Sequence, residues 1–256
     1  MGRLALQFAE RELKERLTGN LLGTVWFVIV PLLQLVVFSL VFGTLFDRQA
    51  GFKSAQHVPY VCFLALGLWP WLMFADSVSR GIMALQANAN IIRKMRFRSD
   101  AIVVGVVAAN FFVHFIGLVI VCIALFALDN PISIRSLPIV LLIMLPLFAL
   151  AVGCALLVSA LQVFVRDLSH VIPPMIGMLY FMTPILYSRE SAAPALRGYL
   201  DVNPLTPFVE LARNVMLGVP SDQLNVPWSA MLVSVSMLGI GLIVFRRLSP
   251  HFDDFL

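Results

Sequence analysis

The sequence predicts an all-α, polytopic membrane protein: six transmembrane helices, an N-terminal amphipathic interface helix, a short cytoplasmic helix between spans two and three, and external re-entrant helices between spans five and six. Three observations lead there. Hydrophobic residues make up 60% of the 256-residue chain and charged ones 12%, against about 45–50% and about 25% in an average globular protein. Mean hydropathy is +0.93, which leaves too little polar surface to coat a water-soluble particle of this size. The apolar residues also fall in runs long enough to cross a bilayer, and the basic residues crowd into alternate connections. A cytosolic enzyme, a secreted disulfide module and a disordered chain are excluded. Cys62, Cys122 and Cys154 all lie inside apolar runs, an odd count that points to packing and not to a disulfide framework or metal site.

The spans are read from uncharged stretches. Residues 21–46 carry no charge over 26 positions, and Pro31 sits in the interior as an expected kink. Residues 58–75 form a second run, extended past Asp76 to 79. Residues 101–128 form a third with His114 as its one ionisable group, followed by 136–165, 171–188 and 224–245. About 20 helical residues at about 1.5 Å each cross a hydrocarbon core of about 30 Å. A closed barrel would need many short alternating segments instead, so the backbone must be satisfied within helices. Glu10, Arg11, Glu12, Lys14, Glu15 and Arg16 precede the first apolar run, unlike a cleavable signal peptide. With six spans both termini share a side. Twelve of the 18 basic residues then fall on that side, among them Arg3, Arg80, Arg166, Arg246 and Arg247, and six on the other. The positive-inside tendency makes both termini cytoplasmic.

Four segments outside the spans carry further information. In residues 4–17, Leu6, Ala9, Leu13 and Leu17 recur at three- and four-residue steps, while Glu10 with Lys14 and Glu12 with Arg16 are favourable i,i+4 pairs. Thr18-Gly19-Asn20 breaks this helix before the first span. The helix is an interfacial anchor, with a partner-docking surface as the sharper alternative. In residues 86–100, Ile91, Ile92, Met95 and Phe97 alternate with Arg93, Lys94, Arg96 and Arg98, and Ser99 or Asp100 is placed to cap the third span. A topology signal alone explains the charges but not the interleaved apolar residues, which suit a groove on a cytoplasmic partner. Phe164-Val165-Arg166-Asp167-Leu168 is a tight break between two apolar runs. Residues 189–225 contain Pro194, Pro204, Pro207 and Pro220. Within them Thr206 is expected to cap a helix that starts at Pro207 and stops at Gly218. Phe208, Leu211, Val215 and Leu217 make that helix apolar although it is too short to span.

No GxxxxGK[ST], HExxH, CxxC or GxSxG pattern occurs. His114 is expected to hydrogen-bond to a neighbouring helix. Asp76 has Arg80 one turn later and is expected to neutralise itself against it near the cytoplasmic interface.

Leu13-Lys14-Glu15-Arg16 through Thr18-Gly19-Asn20-Leu21-Leu22-Gly23-Thr24-Val25-Trp26, Pro31-Leu32-Leu33 and Val41-Phe42-Gly43 resemble the opening of the ABC-2 type permeases that export polysaccharides such as O-antigen, capsule and teichoic acid. Phe164 to Leu168, Thr183-Pro184-Ile185-Leu186-Tyr187 and Asn203-Pro204-Leu205-Thr206-Pro207 with Arg213-Asn214 match later parts of the same pattern. The resemblance covers essentially the whole chain. One departure is Arg98, where the family often has a proline after the aromatic.

The resemblance implies a permease subunit with no catalysis of its own. It would act as a homodimer with two copies of a separate ATPase subunit that holds ATP and Mg, in the bacterial inner membrane. No cofactor is implied in this chain. Residues 86–100 would be the coupling helix, with Ile91, Ile92, Arg93, Lys94, Met95, Arg96 and Phe97 meeting the ATPase. Residues 4–17 would be the interface helix and 189–225 the external re-entrant helices. The substrate would be a glycan on a polyprenyl diphosphate lipid, drawn in by Arg3, Arg96 or Arg98. Sugar rings stack on aromatic faces without a fixed pose, so Trp26, Phe38, Phe42, Tyr60, Trp69, Tyr180 and Phe181 are candidates for a channel between protomers. An exporter of small drugs or lipids, and a channel or secondary transporter that needs no ATPase, are the alternatives.

Overall fold

The computed structural model describes residues 2–17, 26–46, 58–94, 97–218 and 228–255, and these contain helices and turns with no strand among them. The expected runs appear as α2 (Trp26–Phe46), α3 (Tyr60–Ala87), α5 (Asp100–Ala127), α6 (Leu137–Phe164), α7 (Leu168–Phe181) and α10 (Trp228–Leu248). Between and around them lie α1 (Gly2–Leu17), α4 (Ala89–Lys94), α8 (Pro194–Val202), α9 (Thr206–Leu217) and α11 (Phe252–Phe255). Among the described residues four helices are long and apolar enough to cross a membrane: α3, α5, α6 (with the preceding 3-10 turn) and α10 (with the 3-10 turn after it). The apolar stretch Ile29–Val41 of α2 and the helix Leu168–Phe181 are shorter. The fifth expected run, 171–188, is therefore helical over only part of its length; turns replace helix from Met182 onward.

α3 is the central element. It packs against α5, α6, α9, α2 and α7, and Cys62, Leu64, Leu68, Trp69 and Leu85 on it are fully buried. A helix that is apolar on nearly all sides is stable only when neighbours cover it all round. The tightest helix pair is α6 with α10. A Cβ on Gly153 would meet the Met237 carbonyl at 2.5 Å and the Leu238 nitrogen at 2.6 Å, and Gly241 abuts the Gly153 backbone in return. Without a hydrophobic driving force between helices in lipid, such close backbone approach through small residues is what gains packing energy. Much of the rest of α10 is open, with Leu232, Val235 and Ile243 exposed, as a lipid-facing helix requires.

The helix directions define two faces. α1, α4, the starts of α5 and α7, and α11 share one, here the α1 face. Residues 58–60, 128–136, 182–218 and the start of α10 share the other, the α9 face. At the α1 face Ala5 and Ala9 pack on α5, where Gly105 leaves room for Ala5, Phe8 and Ala9. Ala9 of the expected stripe is thus in the contact, with Ala5 taking the place expected for Leu6. Leu6 is 69% exposed and Leu13 half-buried, while the small residues make the contact. Arg16 and Leu17 are helical, but their side chains lie outside the described residues. The chain end folds back over the α6–α7 break, with Phe252 against Phe245 at 5.3 Å and Phe255 against Phe164 at 4.8 Å between ring centroids.

Candidate functional site

Three polar regions stand out from this apolar frame, one at each face and one at mid-depth.

At the α1 face, α3 ends at Ala87, and Asn88 makes the turn by donating its side-chain amide to the Ala84 carbonyl at 2.9 Å. The six-residue α4 follows, with Arg93 and Lys94 exposed, Ile91 half-buried, and Ile92 packed partly against the core. Met95 and Arg96 lie outside the described residues. Phe97 stacks on Phe8 of α1 at 5.7 Å, so it joins the two predicted cytoplasmic elements to one another. Of the predicted coupling residues that are described, Arg93 and Lys94 are the ones presented outward. Arg98 donates to Asp100 at 2.7 Å, and that hydrogen bond and charge hold its guanidinium above its ordinary pKa. Ser99 occupies the N-cap position of α5 without a side-chain capping bond. On α1, Lys14 pairs with Glu10 at 2.7 Å, as the spacing predicts, and Arg11 with Glu15 at 2.6 Å. Arg3 is exposed.

At the α9 face, residues of four segments converge on Arg213. Its side chain is 2% exposed. It donates from Nε to the Phe63 carbonyl at 3.0 Å and from its terminal nitrogens to the Pro184 carbonyl at 3.1 Å and the Ile185 carbonyl at 3.2 Å. The guanidinium lies 3.5 Å over the Phe63 ring. Gly67 makes the space, since a Cβ there would overlap the guanidinium. Beside it Tyr60 donates its hydroxyl to the Leu186 carbonyl at 2.9 Å. Asn203 donates to the Met182 carbonyl at 2.8 Å and to Thr183 Oγ1 at 2.9 Å, and accepts from the Leu205 amide at 2.9 Å. The helix here begins at Thr206, one residue before the expected start, with Leu205 and not Thr206 at the N-cap position and no side-chain capping bond. Asn203 ties down the preceding turn instead. Gly218, at φ +61°, ends α9 as expected.

At mid-depth His114 Nε2 and Asp76 Oδ2 are 2.8 Å apart. His114 does bond to a neighbouring helix. It is the fifteenth of 28 residues in α5, about 20 Å from each end of that helix. Asp76 therefore lies deep in the helix layer and not near an interface, a correction to the local reading of its spacing to Arg80. α5 runs antiparallel beside α3 and brings the imidazole to the carboxylate. One turn away Asn110 donates to Ser77 Oγ at 3.2 Å.

The predicted aromatics divide by exposure. Phe38 of α2 lies 6.1 Å from Tyr180 of α7, which contacts Phe181 at 5.3 Å and Trp71 of α3 at 4.8 Å. Trp26 and Phe181 are 47% and 64% exposed. Tyr60, Trp69 and Tyr180, by contrast, are buried within the protomer's own core, at 7%, 0% and 6% exposure. The Phe42 side chain lies outside the described residues. Sequence reasoning missed the roles of Arg213, Tyr60 and Asn203; an arginine inside a largely apolar helix was the available signal, because such a charge needs buried partners.

A family model described as ABC-2 type transporter matches residues 4–217. The chain is similar to an O-antigen export system permease protein RfbA of Klebsiella pneumoniae, with 26% identity covering 99% of this chain and 95% of that one. It is similar to an O-antigen export system permease protein RfbA of Myxococcus xanthus, with 31% identity covering 79% and 75%. It is also similar to a polysialic acid transport protein KpsM of Escherichia coli, with 23% identity covering 92% and 90%. The match spans both faces and every long helix up to α9, and the chain belongs to the ABC-2 type transporter family.

Proposed function

We propose that this chain is the permease subunit of an ATP-driven exporter that moves a lipid-linked polysaccharide across the inner membrane. The observation that carries this is the near end-to-end similarity to O-antigen export permeases, on a fold whose long apolar helices suit a multi-pass protein. The proposal includes six crossings. Support comes from α1 packing near the start of α5 while α3 starts beside α9, which suits an α2 that passes from one face to the other. The placing of Phe164 and Leu186 suits an α7 that does the same. The α1 face is cytoplasmic, because Arg93, Lys94, Arg246 and Arg247 lie exposed there.

The working unit is a homodimer with two copies of an ABC ATPase subunit, which binds ATP and Mg and does the chemistry. This chain is not itself an enzyme. ATP-driven closure of the ATPases pushes on α4, with Arg93 and Lys94 as the outward contacts and Met95 and Arg96 beside them. α3 carries that push along about 42 Å of helix, with Pro70 in its interior. The lipid diphosphate enters at the α1 face, attracted by Arg3, Arg96 or Arg98. The conduit lies between protomers, with Trp26, Phe38 and Phe181 offering ring faces to sugars and Phe42 as a further candidate; Tyr60, Trp69 and Tyr180 serve packing. α8 and α9 form the external closure.

The test is reconstitution of the permease with its ATPase in liposomes. Lipid-linked glycan is expected to raise ATP hydrolysis several-fold and to appear on the far side only with ATP. Stimulation by small amphiphiles and not by glycan, or glycan transport without the ATPase, would overturn the assignment.

A further inference from the structure

Asp76 is the feature that the export reading leaves unused. Within α3 the residues not buried in its second half are Asp76, Ser79, Arg80, Met83, Gln86 and Ala87. Their steps of three, four and seven place them on one side of the helix, a stripe running from mid-depth to the α4 end. The other sides of α3 are covered by the core. This is a largely polar stripe on a half of the helix that is otherwise buried, at a depth where a carboxylate facing lipid costs about 2.5–3.5 kcal/mol even on the lenient scale. Intramembrane acids face a bundle interior or a water-filled path for that reason.

The carboxylate is also held. His114 is 1% exposed and hydrogen-bonds Oδ2, while the Asp76 side chain remains 42% exposed. A second interhelical bond, Asn110 to Ser77, fixes the same stretch of α3 against α5 at 3.2 Å. The imidazole therefore orients the carboxylate from behind and leaves acceptor capacity on the open side. Oriented carboxylates accept hydrogen bonds from the hydroxyls of a sugar ring, and charge-assisted bonds of this kind are about twice as strong as neutral ones. The Ser79 hydroxyl adds a donor further along the stripe, and Met83 adds an apolar contact for ring C–H faces.

We propose that Asp76, oriented by His114, is a hydroxyl-binding station for the exported glycan halfway along the conduit, with Ser79 and Met83 continuing the track toward the α4 end. The proposal rests on the export reading and adds a polar track on α3 to the aromatic faces of α2 and α7.

The experiment uses the unsubstituted permease–ATPase complex in liposomes, treated with a water-soluble carbodiimide and glycinamide and then peptide-mapped by mass spectrometry. Asp76 is expected to be coupled, and lipid-linked glycan is expected to slow that coupling at least five-fold. Asp100, whose side chain is 4% exposed, serves as the uncoupled control. Asp76→Asn keeps shape and is expected to cut export at least ten-fold with the ATPase still co-purifying. No coupling at Asp76, coupling that glycan does not slow, or export unchanged in Asp76→Asn each overturns the proposal. When wild-type complex transports glycan and any of these results appears, the station alone has failed. When wild-type complex ignores glycan altogether, the export reading has failed with it.

Discussion

The two faces of this protein handle polar groups in opposite ways. At the α9 face, Arg213, Asn203 and Tyr60 are buried, and each donates to a backbone carbonyl of a residue distant in sequence. At the α1 face, Arg93 and Lys94 are exposed and Glu10–Lys14 and Arg11–Glu15 pair within a single helix. The first arrangement welds four segments into one body. The second leaves charge available to something outside the chain. The buried Arg213 cluster and the exposed α4 charges thus lie at opposite faces, and substitutions at the two should fail in different ways.

The largest effect is expected at Arg213. Arg213→Met keeps most of the volume but strands the Phe63, Pro184 and Ile185 carbonyls in a dry site, which should cost about 3–5 kcal/mol. Thermal unfolding of the detergent-solubilised protein would show this as a large drop in midpoint. Arg213→Lys should recover only part of it, because an ammonium cannot reproduce the planar stack on Phe63. A midpoint equal to wild type for Arg213→Met would mean that the weld is not at this residue. Gly67→Ala attacks the same bonds from the opposite side by filling the space of the guanidinium, and about 1–3 kcal/mol is expected from such overpacking. Asn203→Ala removes three bonds and is expected to cost about 1–3 kcal/mol, with the loss felt in the turn before α9.

Much of this difference between faces was legible in the sequence, and the part that was not has a physical cause. The extents of α5 and α6 follow from uncharged runs, because in lipid the backbone has to satisfy itself locally. The basic connection after α3 and the Glu10–Lys14 pair are likewise local in sequence. Contacts between distant segments are another matter. Spacing ties Asp76 to Arg80 on the same helix, whereas its bond to His114 spans 38 residues and depends on how α3 and α5 slide past each other. Periodicity within 4–17 finds a face but not its partner, and the small residues Ala5 and Ala9 win the contact because Gly105 allows close approach. Aromatic residues in a span could not be sorted either. Trp69 is enclosed by the helices around α3, while Trp26 and Phe181 are left open, a distinction that only assembly creates.

The smallest change in stability is expected where the functional effect should be greatest. Arg93→Glu with Lys94→Glu alters two exposed side chains on α4 that bury nothing, so unfolding should move by no more than about 0.5 kcal/mol. Reversal of two charges facing a complementary surface costs far more, since like-charge juxtaposition at an interface is worth several kcal/mol. Co-purification of the ATPase from membranes should therefore fall at least ten-fold while the permease keeps its wild-type melting midpoint. Should the double variant instead melt early, α4 would belong to the fold like the α9 face does. Should it melt normally and still hold the ATPase, the outward charges would serve topology, and the motor would have to grip Ile91 and the segment that follows Lys94.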